Sequence, residues 1–138
     1  MNSQLSPQQA ASELLARRKA RSGLIAFSAY TNPTYIAAPH HELIAAKLEA
    51  VERGEIKRLM ITMPPRHGKS ELASRRFPAW FIGRNPGKQI IAASYNSDLA
   101  SDFGREVRNI VASPEYGALF DCTLAIDSKA ANRWHTDK

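Results

Sequence analysis

The chain has 138 residues, 43% hydrophobic and 23% charged, which is the composition of a single ordinary globular domain and excludes a disordered or fibrous protein. Nineteen Lys and Arg against thirteen Asp and Glu leave a net charge of +6, so an anionic partner such as nucleotide or nucleic acid fits better than an acidic one. A lone cysteine, Cys122, excludes an internal disulfide framework and a four-thiolate zinc site and reads as a small packing residue. No window approaches the roughly 18 apolar residues of a membrane span, and the first thirty residues lack a signal-peptide core, so a soluble intracellular protein is expected.

The first element is announced by Ser6-Pro7-Gln8-Gln9, where a capping serine, a proline at the first helical position and a glutamine three residues on form a capping box. That helix carries only a weak apolar stripe (Ala10, Ala11, Leu14, Leu15), then the basic cluster Arg17, Arg18, Lys19 and Arg21 before Gly23 stops it. Residues 24–38 show no clean period and read as irregular, with at most a short helix over Leu24 to Tyr30 and a turn at Asn32-Pro33. Leu43, Ile44, Leu48 and Val51 recur at helical spacing from Pro39 to Arg53, with Gly54 as the stop. The apolar run at residues 57–63 predicts a buried strand, and Lys69 to Phe77 a helix that Pro78 must kink or restart. After the turn Asn85-Pro86-Gly87, residues 89–94 predict a second buried strand. Asn96 or Ser97 caps a helix whose Leu99, Phe103, Val107, Ile110 and Val111 share one face until Ser113-Pro114 ends it. A short strand over Cys122 to Ile126 precedes a polar stretch from Asp127 to Lys138.

Pro64-Pro65-Arg66-His67-Gly68-Lys69-Ser70 sits where the first predicted strand passes into a helix. A phosphate-binding loop needs that junction: backbone N–H groups at a helix start converge on an anion, and the helix dipole favours negative charge. Gly68 lets the backbone approach, Lys69 supplies charge near the outer phosphates, and the Ser70 hydroxyl is placed to hold magnesium. A Gly-Lys-Ser/Thr triplet arises by chance in about one chain in fifteen of this length, so the strand-to-helix context carries the inference. The pattern departs from the standard one at its start, with Met63 where a glycine is usual and two prolines stiffening the approach. Arg66 lies where a guanidinium reaches a γ-phosphate and stabilises developing charge, or pairs with a surface carboxylate instead. His40 and His41 precede Glu42, but further ligands at metal-binding spacing are lacking, which leaves helix capping or packing.

Together Met63 to Ser70, the stretch Pro39 to Arg53, Ala93-Ser94-Tyr95-Asn96, Phe103-Gly104-Arg105 and Arg108 resemble the large subunit of tailed-bacteriophage terminases, over roughly residues 30–135. The resemblance implies an α/β fold, an additional-strand, RecA/helicase-like P-loop NTPase three-layer sandwich, with residues 1–38 a helical or irregular N-terminal segment and 39–138 part of the ATPase domain. It implies ATP and Mg2+ as cofactors, double-stranded DNA as the load driven into a procapsid, a small terminase subunit and portal as partners, homo-oligomers when full length, and the cytoplasm of a bacterial host carrying a phage or prophage. Under it, Pro65, Arg66, His67, Gly68, Lys69 and Ser70 bind the nucleotide, Lys69 and Arg66 act in catalysis, and Ser70 holds the metal. Tyr35, Pro39 and His41 occupy the places of an adenine-contacting motif, with histidine standing for its glutamine. After residue 100 no apolar run ends in two acids, so the pair that would activate water is missing, as is the nuclease cluster. In the family's sheet order the two strands are not neighbours, and without later strands both lack ladder partners. The expectation is an incomplete, truncated terminase ATPase that binds ATP without hydrolysing it alone. A DNA-binding or assembly module using Arg17, Arg18, Lys19, Arg75, Arg76, Arg105 and Arg108 beside a vestigial loop, a small P-loop kinase and a helicase-like ATPase are the other readings.

Overall fold

The structure is a computed structural model that describes residues 6–128, 130 and 133–138; Leu5 and parts of the polar C-terminal stretch lie outside the described residues. Helix α1 (Pro7–Ser22) starts on the expected capping box: the Ser6 hydroxyl accepts from the Gln9 amide at 3.2 Å and the Gln9 side chain accepts from the Ser6 amide at 2.9 Å. Its stripe is as weak as its sequence, with Ala20 buried and Leu14 and Leu15 exposed. Gly23 alone separates it from α2 (Leu24–Thr31).

The segment expected to be irregular is the centre of the molecule. Helix α2 packs against α1, α3 (Pro39–Glu52), α4 (Phe77–Arg84) and α6 (Pro114–Leu119), and buries Leu24, Phe27 and Ser28. A helix apolar nearly all round shows no period because no face is reserved for water. Glycine cannot cap its N-terminus with a side chain, so Glu49 of α3 does so, accepting from the Leu24 amide at 2.8 Å. Helix α3 ends as expected, with Gly54 at φ +78° and the Glu55 amide on the Ala50 carbonyl at 2.9 Å. Ile44 and Leu48 face the core, whereas Leu43 is exposed.

Residues 69–84 run as one helical rod whose middle, Glu71–Arg76, is π-helical. The wider turn closes with the Phe77 amide on the Leu72 carbonyl, and Pro78, which has no N–H to give, follows it directly. The widening also places Arg76 under Glu71 (2.8 Å) while Arg75 bonds the other carboxylate oxygen (3.1 Å). Helix α5 (Ser97–Val111) is capped by Asn96, which accepts from Asp98 and Leu99 at 2.7 and 3.1 Å. Ser113-Pro114 ends α5 and also starts α6, whose Tyr116 is fully buried and donates its hydroxyl to the Ala79 carbonyl at 2.9 Å.

The α/β expectation is overturned: among the described residues no strand or sheet forms, and the molecule is a packing of helices. Residues 57–63 and 89–94, read as buried strands, are irregular and largely exposed, with Met60 at 87% and Ile91 at 93% of full exposure. A strand exists only through its ladder, and no backbone hydrogen bond joins either segment to another among the described residues. The strand expected over Cys122 to Ile126 reduces to a single antiparallel bridge between Leu124 and Thr136. Thus the three-layer P-loop NTPase sandwich is not the architecture of this chain. The core is built mainly by helices, with Leu24, Phe27, Leu48, Leu72, Trp80 and Tyr116 at its centre and the non-helical Phe120 and Cys122 completing it.

Candidate functional site

The loop leading to Ser70 carries the only positive φ of a described non-glycine residue, Arg66 at +64°, followed two residues later by Gly68 at +79°. His67 between them and the helical Lys69 after them do not share it, so the sign of φ alternates along four residues. Such alternation turns successive N–H groups toward one concave side, the arrangement that holds anions, and a left-handed arginine costs about 1 kcal/mol that the surroundings must offset. Pro64 to His67 form a turn, and from Gly68 to Ser70 no amide finds an acceptor among the described residues. Likewise no hydrogen-bond or ion-pair partner among them meets the side chains of Arg66, Lys69 or Ser70. Carbonyls of the loop, by contrast, are held. The Pro65 oxygen lies 2.8 Å from His67 Nδ1, the Gly68 oxygen accepts the Leu72 amide at 3.1 Å, and the His67 oxygen lies 3.1 Å from His40 Nε2 and 2.8 Å from His41 Nε2.

His41 is at the third position of α3 and its Nδ1 accepts from the Ala38 amide at 3.1 Å, so Nε2 carries the proton donated to the loop. The capping role expected of this residue is therefore present, joined to one the sequence did not signal. His40 Nε2 donates to the same oxygen, and the two rings lie 4.1 Å apart. A Cβ on Gly68 would sit 2.5 Å from His41 Nε2, so glycine is required there by space as well as by φ. Tyr35, 5.9 Å from His41, backs the row of rings; its buried hydroxyl has no partner among the described residues, and burial, then the Glu71 carboxylate, pushes its pKa up.

The structure thus brings Pro65, Arg66, His67, Gly68, Lys69, Ser70 and His41 into one place. Most of the arginines of the DNA-binding reading are spent internally. Arg17 pairs with Glu13, Arg105 with Asp102, Arg76 with Glu71, and Arg75 with both Glu71 and Glu106 while lying over the Phe103 ring. No described trio of His, Cys, Asp or Glu is placed to hold a metal ion. A cavity of about 690 Å3 between residues 87–92, α5 and Trp134 includes none of the loop.

Residues 60–132, more than half of the chain, match the family model for the terminase large subunit, T4likevirus-type, N-terminal. The chain belongs to this terminase family. The matched span contains the whole loop from Met63 to Ser70 and begins after α3, so His40 and His41 reach the site from outside it. No curated protein and no solved structure matches the chain. Membership gives the terminase chain a part in phage DNA packaging. Among the described residues no helix is long and apolar enough to cross a membrane.

Proposed function

We propose that Met63 to Ser70 binds the phosphates of ATP with Mg2+ and that this binding serves the movement of double-stranded DNA during packaging. The observation that carries the reading is the alternation of φ at Arg66, His67, Gly68 and Lys69, with the consecutive amides of Gly68, Lys69 and Ser70 lacking acceptors beside an ammonium and a hydroxyl that also lack partners among the described residues. Each group fits one requirement of a nucleotide phosphate. The amides and helix start receive oxygens, Lys69 adds the mobile charge, and Ser70 offers a hard oxygen to the metal. Bound magnesium would neutralise charge on the outer phosphates. Arg66, exposed and unpaired among the described residues, is assigned to charge that develops on the outermost phosphate, and Pro65 and His67 shape the loop.

Titration calorimetry with ATP and Mg2+ tests the reading. Lys69→Ala is expected to abolish measurable affinity, because the loop loses its nearest mobile cation. Affinity unchanged by Lys69→Ala would sink it.

A further inference from the structure

We propose that His40 and His41 are positioning residues for the phosphate loop: their two Nε2–H groups pin the His67 carbonyl and thereby aim the Gly68 amide into the concave face. The inference rests on the phosphate-binding reading and adds to it residues from an element that the family match does not cover. A trans peptide is planar, with its C=O and N–H pointing in opposite directions, so fixing the His67 oxygen toward α3 at 3.1 and 2.8 Å directs the Gly68 N–H away from α3. A carbonyl has two acceptor sites and both are used here, which restrains the peptide against rotation more than one bond would. The tautomer of His41 is fixed from the far side, since the Ala38 amide donates to Nδ1 and leaves the proton on Nε2. The His41 ring also fills the space where a Cβ of residue 68 would stand. The two histidines thus act through the backbone, and the first turn of α3 sets the geometry of a loop 26 residues further on.

Three substitutions at His41 separate holding the loop from capping α3. In His41→Gln the amide both donates to His67 and accepts from Ala38; His41→Glu keeps only the acceptor; His41→Leu keeps neither. In the ligand-free, 15N-labelled chain, the Gly68 and Lys69 amide resonances are expected to move least in His41→Gln and substantially further in both others. ATP affinity in the presence of Mg2+ should fall about tenfold in His41→Leu and remain within about twofold in His41→Gln. Should His41→Leu fail to fold, His40→Ala, which leaves the α3 cap intact, is expected to shift the same two amides and weaken ATP about threefold. Amide positions indifferent to the loss of the donor, or His41→Gln as damaged as His41→Leu, would overturn the proposal. A wild-type chain that binds no ATP defeats the phosphate reading alone, because the Gly68 amide still reports whether the histidines hold the loop.

Discussion

Gly68 and Gly83 each stand where another residue's ring takes the space of a side chain. At Gly83 a Cβ would lie 2.4 Å from the ring of Phe120, which is itself buried between α4 and the end of α6 and cannot swing aside. Gly83→Ala is expected to cost about 1–3 kcal/mol in urea unfolding, with Phe120 displaced from Phe27 and Tyr116. Ser70→Ala removes a hydroxyl without disturbing the helix, and calorimetry should show a larger loss of ATP affinity with magnesium than without it; equal losses would remove the metal role. Most of the candidate site was legible because phosphate chemistry draws on adjacent residues, and adjacency survives in a sequence. Of the donors to His67, His41 is placed at the site only by the family resemblance, as an adenine contact, and His40, 27 residues from the loop residue it holds, reads in the sequence as a cap or packing residue.

The segment after the loop shows how an element departs from its local signals without contradicting them. Lys69 to Arg84 has a helical pattern with a proline inside it, and the chain keeps its helix by widening one turn, at Glu71–Arg76, ahead of Pro78. Glu71, with Arg75 and Arg76 both within reach, fastens that turn. At α6 one signal serves two elements: Ser113-Pro114 stops α5, yet serine followed by proline is also a start, and the Ser113 hydroxyl accepts from the Tyr116 amide at 3.2 Å. Ser113→Ala is expected to destabilise the chain by about 1 kcal/mol in urea titration, because the cap orders the turn that carries Tyr116 into the core. No change in midpoint would mean that α6 is held by packing alone. The two extended segments failed as strands for a reason outside themselves, since an apolar run supplies propensity but not the neighbouring backbone that would satisfy its amides.

Across the molecule, Glu52 ties α3 to the end of α4, with its buried carboxylate accepting from Arg84 Nε and Asn85 Nδ2, each at 3.0 Å. Burial by itself would raise its pKa, but the bonds from Arg84 and Asn85 outweigh it and hold the group below the ordinary carboxylate value. A depressed folded pKa means that the unfolded chain takes up the proton first, so this stabilisation is full above the ordinary value and is lost as pH falls through the depressed one. Glu52→Gln should lower the urea midpoint at neutral pH by the equivalent of about 1–2 kcal/mol and make stability less dependent on acid. An unaltered acid profile would show that another carboxylate carries it. The sequence by itself determined the phosphate-loop motif, the family, the capping of α1 and α5 and the stop of α3, because each is written in residues a few positions apart. Tertiary structure alone decided that α2 is the central helix, that two apolar runs are not strands, and that α3 grips the loop. Those outcomes depend on which surfaces and backbone groups meet across tens of residues, and local chemistry does not record that.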